Sequence, residues 1–137
     1  MKTREHGFSL FEILAAMAIV ALAMVIAAPP VTNMLAKITF RKEVNEVMAQ
    51  VRGWKLMAVS QGKPVTVTLE EDVLMVQLAQ GAKVVKPFKP GVTLAMEPER
   101  IFFSPEGWAT PATIEISSNE RHRTLQINPL TGQPNKI

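Results

Sequence analysis

Residues 6–30, HGFSLFEILAAMAIVALAMVIAAPP, place one carboxylate, Glu12, near the start of an otherwise uncharged apolar run. From position 8 to position 28 the run has 21 residues. A helix of that length measures roughly 31 Å at about 1.5 Å per residue, which is enough to cross the core of a bilayer. A carboxylate costs roughly 2.5 to 3.5 kcal/mol at the bilayer centre and less near its edge. Glu12 is therefore a candidate functional residue.

Two general interpretations of this N-terminus are available. In a secretory signal peptide, Lys2 and Arg4 would form the basic segment, and either Ala21-Leu22-Ala23 or Ala27-Ala28 would precede the cleavage site. The apolar run is longer than such peptides usually have, and Pro29 would follow the cut. In an uncleaved membrane anchor, the same two basic residues would stay in the cytoplasm. That interpretation leaves Glu12 unexplained, except as a carboxylate that reaches back to the membrane surface.

A third interpretation rests on a resemblance. Gly7-Phe8-Ser9-Leu10-Phe11-Glu12, after a short charged leader, resembles the class III signal of type IV pilins and type II secretion pseudopilins. In that family a membrane peptidase cuts after the glycine and methylates the new N-terminal amine. The resemblance implies cleavage between Gly7 and Phe8, N-methylation of Phe8, and a role for Glu12 in assembly. The Glu12 carboxylate would then meet the Phe8 amine of a neighbouring subunit, so that two charges that are unfavourable alone in lipid neutralise each other.

These features predict four consecutive segments. Residues 1–7 form the prepilin leader, residues 8–30 a transmembrane helix, residues 31–62 an amphipathic helix, and residues 63–137 a β-rich periplasmic domain. The adjacent Pro29 and Pro30 are expected to break or unwind the helix locally, because each lacks an N–H donor and clashes with the preceding turn. The 137-residue chain has no cysteine, so no disulfide supports the domain.

A second helix is indicated by apolar residues at alternating spacings of four and three. This helix stripe comprises Phe40, Val44, Val47, Val51, Trp54 and Ala58. We expect the stripe to pack on the chain's own sheet, with a partner-binding face as the alternative. Polar residues are predicted to lie off the stripe: Arg41, Lys42, Glu43, Asn45, Glu46, Gln50 and Arg52. Gly53 is interpreted as a close approach of the sheet, and Gly62 as the end of the helix.

Beyond Gly62 the apolar period becomes alternating, as expected for strands. Residues 65–70 and 73–78 predict a β-hairpin, and a turn at 79–82 follows. Further strands are predicted at 83–86, 92–95, 100–103, 112–116 and 123–128, separated by prolines. One long helix followed by an antiparallel meander is an α+β fold, which is also what the resemblance to pilins implies.

The C-terminal half carries a second resemblance. Phe103-Ser104-Pro105-Glu106-Gly107, the strand at 112–116 and the segment Asn128-Pro129-Leu130-Thr131-Gly132 resemble the H-type pseudopilins and the FimT-like minor pilins. Turns between strands explain the same residues equally well. Some FimT-like proteins bind DNA through a basic C-terminal segment. Here Arg121 and Arg123 stand near that place, but Glu115 and Glu120 offset them, so nucleic-acid binding is not expected.

The chain has few residues that could act in catalysis or bind a metal. It has two histidines, of which His6 would leave with the leader, and one aspartate, Asp72. We therefore predict no catalytic residues, no metal or calcium site and no cofactor. His122 is expected to be an exposed side chain.

The sequence thus predicts a minor pseudopilin, a structural subunit of the type II secretion pseudopilus that assembles through its N-terminal helix. Expected partners are other pseudopilins or pilins, the inner-membrane assembly platform and the prepilin peptidase. The protein would cross the bacterial inner membrane once, with its N-terminus in the cytoplasm and its globular domain in the periplasm. The alternatives are a minor type IV pilin acting in pilus assembly or DNA uptake and, more remotely, an anchored periplasmic enzyme.

Overall fold

The computed structural model describes residues 7–84 and 90–137. The chain divides into two compact units, Met1–Thr39 and Phe40–Ile137. Six of the seven predicted leader residues, and the last two residues of the strand predicted at 83–86, lie outside the described residues. One helix, α1 (Leu10–Gln61), supplies all the helical structure of both units among the described residues.

In the first unit, α1 exposes nearly all of its side chains, and the apolar ones predominate. By length and composition the helix can cross a membrane, and its most apolar stretch near the N-terminus is entirely unburied. Leu10, Leu14 and Val25 illustrate this, with more than half of each side chain exposed. A long apolar helix surface of this kind is unfavourable in water, so it needs lipid or other apolar helices around it.

The predicted break at Pro29 and Pro30 is wrong, because α1 runs through both prolines without interruption. The proline φ angle is close to the helical value, so the helix continues, although the pair lacks two N–H groups that would have donated to the carbonyls of residues 25 and 26. The Thr32 hydroxyl donates a hydrogen bond of 2.9 Å to the carbonyl of Pro29, within the same helix. Membrane helices tolerate prolines better than other helices, because neighbouring helices and small local adjustments can satisfy the freed carbonyls.

In the second unit, the helix stripe is buried at all six predicted positions, from Phe40 to Ala58, and belongs to the core. The prediction that it packs on the chain's own sheets is confirmed. Glu43 was predicted to lie off the stripe, but only 2% of it is exposed. It lies three residues after Phe40 and four before Val47, which places it on the same face of the helix.

Of the two glycine predictions for α1, one is confirmed and the other is wrong. Gly62 has a φ of +62° directly after the last helical residue, so it ends the helix as predicted. Gly53 was interpreted as a close approach of the sheet, and this is wrong. A Cβ built at Gly53 would have no atom within 4 Å apart from its own helix and chain neighbours. Gly53 therefore has room for a larger side chain.

The strands form two antiparallel four-stranded sheets. In chain order they are β1 (Val65–Glu70), β2 (Val73–Leu78), β3 (Gly81–Val84), β4 (Val92–Glu97), β5 (Arg100–Phe103), β6 (Ala112–Ser118), β7 (Arg121–Ile127) and β8 (Pro134–Lys136). The first sheet has the order β3-β2-β1-β5 and the second has the order β4-β6-β7-β8. The predicted β1–β2 hairpin is confirmed, with Glu71 and Asp72 both at positive φ in its two-residue turn.

Three details of the predicted meander are wrong. First, β1 pairs with β5, with Val65 opposite Phe103, while β4 joins the other sheet. Second, β3 begins at Gly81 because a two-residue turn already reverses the chain after Leu78. Third, β8 was not predicted, since a three-residue strand that begins with proline gives no alternating pattern. Local periodicity identifies strands, whereas the choice of pairing partner depends on tertiary packing.

The core lies between the helix stripe and the apolar faces of both sheets. Alternate residues of the strands point into it, including Val65 and Val67 of β1 and Ile114 and Ile116 of β6, all of them almost fully buried. On β7 the pattern continues with Leu125 and Ile127. This arrangement of one helix against antiparallel strands buries the helix stripe and the apolar faces of the strands without any disulfide.

Candidate functional site

The predicted processing site lies immediately before the first helical residue. Gly7, Phe8 and Ser9 are exposed and outside regular structure, and α1 begins at Leu10. The Ser9 hydroxyl accepts a hydrogen bond of 3.2 Å from the backbone N–H of Glu12, and the Ser9 carbonyl accepts from the same N–H at 3.0 Å. Ser9 therefore caps the helix, so that the Gly7–Phe8 peptide bond stays outside it.

Glu12 lies in the first turn of α1 and is exposed. Phe8 and Glu12 border the same surface, together with apolar residues farther along the helix that include Ala16, Val20 and Met24. Spacings of four residues place Glu12, Ala16, Val20 and Met24 on one face of the helix, and Phe8 lies just before the start of that face. A carboxylate in the first turn is also favoured by the positive end of the helix dipole. The arrangement can accept a cation or a hydrogen-bond donor from another molecule, next to an apolar helix surface.

The two C-terminal segments singled out in the sequence lie against each other. The Ala109 N–H donates a hydrogen bond of 2.9 Å to the carbonyl of Pro129, and a Cβ on Gly132 would lie 3.1 Å from the carbonyl oxygen of Gly107. Within the second segment, the Asn128 side-chain oxygen accepts hydrogen bonds from the N–H groups of residues 130 and 131. The two turns thus form one hydrogen-bonded structure beside β5.

The first of these turns is organised by Ser104, which is 1% exposed. Its N–H donates to the carbonyl of Trp108 at 2.9 Å, and its carbonyl accepts from Gly107 at 3.0 Å. Its hydroxyl accepts from the N–H of Glu106 at 3.2 Å and hydrogen-bonds to the Glu106 carboxylate. Every polar group of Ser104 therefore serves the turn, which is a structural role.

Within residues 7–84 and 90–137, no group of three or more histidine, cysteine, aspartate or glutamate side chains could hold a metal ion. His122 is exposed as expected, and its Nδ1 lies 3.1 Å from the hydroxyl of Ser117 on the neighbouring strand. The Asp72 carboxylate accepts a hydrogen bond of 3.4 Å from the N–H of Leu94. Both side chains connect parts of the fold, His122 by joining β7 to β6 and Asp72 by joining the β1–β2 turn to β4.

One polar surface was not predicted from the sequence. Arg41 and Asn45 of α1 lie beside Arg123 of β7 and Lys136 of β8. Arg123 was considered only as part of a nucleic-acid segment, and the strand carrying Lys136 was not predicted. The one available signal is that Lys136 is the only charged residue after Arg123.

Comparison with known families agrees with this geometry. Residues 2–28 match the prokaryotic N-terminal methylation motif, and residues 43–131 match the family described as type II transport protein GspH. The motif and the fold together define a pilin-like protein with one N-terminal helix and antiparallel sheets. The second match covers well over half of the chain, and the protein belongs to the GspH family.

Two solved structures share the fold. One is the type IV minor pilin FimU of Pseudomonas aeruginosa, at 19% identity and a TM-score of 0.57, covering 76% of this chain and 92% of that one. The other is the minor pseudopilin EpsH from the type 2 secretion system of Vibrio cholerae, at 16% identity and a TM-score of 0.56, covering 74% and 95% respectively. At such identities the likeness establishes the fold alone. No curated protein matches the sequence significantly.

The predicted family and the predicted fold class are confirmed by these matches and by the structure. The methylation motif spans Gly7, Phe8 and Glu12. The individual roles assigned to these three residues remain predictions, as do the boundaries of the four predicted segments.

Proposed function

We propose that this protein is a minor pseudopilin, a structural subunit that enters the filament of a type II secretion system through its N-terminal helix. The observation that carries the proposal is the presence on one chain of the N-terminal methylation motif and of the GspH domain. The exposed apolar surface of α1 supports it, because that surface suits lipid before assembly and neighbouring helices afterwards. Families of this kind are structural, and we propose no catalytic activity.

We further propose that a prepilin peptidase removes residues 1–7 and methylates the amine of Phe8. The exposed Gly7–Phe8 bond, which lies outside α1, supports this step because a peptidase binds its substrate in an extended form. Ser9 remains after cleavage, so the cap of the helix is retained. Residues 8–30 would then cross the inner membrane, with the globular domain in the periplasm.

For Glu12 we propose a role in assembly. Its carboxylate would pair with the positive Phe8 amine of a neighbouring subunit, where the low dielectric strengthens the attraction and each charge relieves the desolvation cost of the other. The placement of Glu12 on an apolar helix surface supports this role. Partners would be other pseudopilins and the inner-membrane assembly platform.

The direct test of processing is the intact mass of the protein extracted from membranes of its own bacterium. We expect the loss of residues 1–7 and the gain of one methyl group. The same protein in a strain without the prepilin peptidase should keep its leader. A chain that begins at Pro29, or one that stays unprocessed in the native strain, would contradict the proposal.

The second candidate is a minor pilin of a type IV pilus, and the likeness to FimU favours it as much as the likeness to EpsH favours the first. Deletion of the gene separates the two. Loss of secreted type II substrates with normal pili supports the pseudopilin, whereas loss of pili with normal secretion supports the pilin.

A further inference from the structure

The Phe40–Ile137 unit contains a groove whose rim is basic. Arg41, Asn45, Arg123 and Lys136 line it together with Phe40 and Val44, and the open groove has a volume of about 350 Å³. The two apolar residues are buried, while the four polar ones are exposed. We call this site the basic groove. It combines three cationic side chains with an apolar base.

No carboxylate of the described residues forms an ion pair with Arg41, Arg123 or Lys136. The Lys136 ammonium instead donates a hydrogen bond of 3.0 Å to the side-chain oxygen of Asn45, which fixes the C-terminal strand against α1. Lysine carries three donors and arginine five, so most of the donors in the basic groove face solvent. Three cations brought together repel each other, and an anion in the groove would remove that repulsion.

We propose that the basic groove binds the carboxylates of an acidic segment on a protein partner. A guanidinium group holds a carboxylate through two parallel hydrogen bonds, and Arg41 and Arg123 supply two such groups. The base formed by Phe40 and Val44 suits the aliphatic part of a glutamate side chain. The inference does not rest on the proposed function, because it uses only the groove itself.

A nucleic acid fits the groove less well. From residue 40 onward the chain has twelve basic and ten acidic residues, so the unit lacks the strong positive field that phosphate backbones require. The cations are also confined to one compact groove, whereas a nucleic acid needs an extended basic track. A short acidic peptide segment matches both the size and the charge of the site.

The test uses the full chain in detergent micelles and tetraglutamate as the probe, with tetraglutamine as the uncharged control. Mass spectrometry follows the acetylation rate of the Lys136 amine. Lys63, which is exposed elsewhere, serves as the internal reference. We expect saturating tetraglutamate to slow acetylation of Lys136 at least about threefold and to leave Lys63 unchanged. High salt should abolish the protection because it screens exposed charges.

Two double variants with the same loss of charge make the test specific. Arg41→Gln with Arg123→Gln should remove the protection, while Arg52→Gln with Arg100→Gln should keep it, because both control arginines are exposed outside the groove. The unfolding midpoint of each variant is measured first, and the single variant Arg123→Gln replaces the double one if that one is unstable. The proposal would be overturned if both double variants lost the protection of Lys136 equally, or if tetraglutamate protected Lys136 and Lys63 equally. Protection of Lys136 by tetraglutamine would overturn it too.

The competing ligands are tested in the same assay. Inorganic phosphate or an oligothymidine that protects Lys136 at a lower concentration than tetraglutamate would replace the protein segment as the ligand and overturn the proposal. In membranes, a carbodiimide joins an amine directly to a carboxylate that touches it. We expect Lys136 to be linked to another protein at least about three times as often as Lys63, and only while Arg41 and Arg123 are present. Equal linkage of the two lysines contradicts the proposal.

Discussion

Trp54 of α1 and Phe103 at the end of β5 are in ring contact, with centroids 6.2 Å apart and ring planes inclined by 58°. The pair connects the helix to the strand from which the Ser104 turn departs. A tilted geometry of this kind is favourable for aromatic rings and adds to the area that they bury. The contact therefore fixes the helix stripe, the first sheet and the C-terminal turns relative to one another.

The helix stripe gives the first prediction. Val47→Ala removes two buried carbons from a fully enclosed site and should lower the free energy of unfolding by about 2 kcal/mol. Val59→Ala is the matched control on the same helix, since Val59 is 45% exposed. Its effect should stay within about 0.5 kcal/mol. Denaturant unfolding followed by tryptophan fluorescence, to which Trp54 and Trp108 both contribute, measures both values. Equal effects would show that the stripe is not the core face.

The second prediction concerns the contact between the two C-terminal turns. Gly132→Ala puts a side chain at a φ of +61° and a Cβ at 3.1 Å from the Gly107 carbonyl. Gly62→Ala meets the same backbone strain, at a φ of +62°, with no atom within 4 Å. We expect a loss of about 1 kcal/mol at Gly62 and about 2 kcal/mol at Gly132 in the same unfolding assay. A smaller loss at Gly132 would mean that the turns separate easily.

The third prediction concerns the Ser104 side chain. Ser104→Ala leaves the N–H of Glu106 without its side-chain acceptor in a nearly buried turn, and should cost about 1 to 2 kcal/mol of unfolding free energy. Ser60→Ala is the control, because the Ser60 hydroxyl bonds only to the carbonyl of Met57 on the exposed side of the helix. Its cost should be within about 0.5 kcal/mol. An unchanged free energy of unfolding in Ser104→Ala would indicate that water replaces the hydroxyl.

The proposed role of Glu12 gives the fourth. Glu12→Gln nearly preserves shape and removes the charge, so cleavage and membrane insertion should persist while incorporation into the filament falls. Crosslinking to other pseudopilins in membranes, relative to the amount of processed protein, measures this. Glu46→Gln, in an exposed position of the same helix outside the apolar run, should behave as wild type. Normal crosslinking and secretion with Glu12→Gln would leave Glu12 as a carboxylate that reaches the membrane surface. Loss of cleavage would assign it to peptidase recognition.

The fifth prediction concerns the limits of the globular part. A fragment that begins at Thr32 lacks the apolar run but keeps the entire Phe40–Ile137 unit. We expect it to be a soluble, folded monomer, because the helix stripe is covered by the chain's own sheets. Sedimentation tests whether the fragment is a monomer, and tryptophan fluorescence in denaturant tests whether it is folded. Insoluble aggregates would mean that part of the stripe is a partner surface.

Periodicity was sufficient to predict the helix stripe and most strands, because local burial repeats at fixed intervals along a helix or strand. It missed Glu43, whose spacing from Phe40 and Val47 fits the stripe, because a charged side chain is seldom fully buried and its charge outweighed its position. It also missed the pairing of β1 with β5, which joins segments separated by β2, β3 and β4. Pairing of distant strands is decided by the whole core, and the sequence of either strand does not specify it.

The two candidate sites also differ in whether the sequence predicts them. Gly7, Phe8 and Glu12 lie within six consecutive residues, so a short motif was enough to single them out. The residues of the basic groove are spread from position 40 to position 136. They meet only because β8 pairs with β7 and Lys136 reaches Asn45. A site assembled from both ends of a domain leaves no local pattern in the sequence.

The short strand β8 has a consequence for a protein that is concentrated beside others of its kind. It forms one edge of the second sheet, has three residues, and begins with Pro134, which has no N–H to donate. Such an edge is a poor template for a strand from another molecule, and the charge of Lys136 opposes such pairing further. The domain can therefore be crowded against its neighbours without the β8 edge of its second sheet pairing with a strand of another molecule.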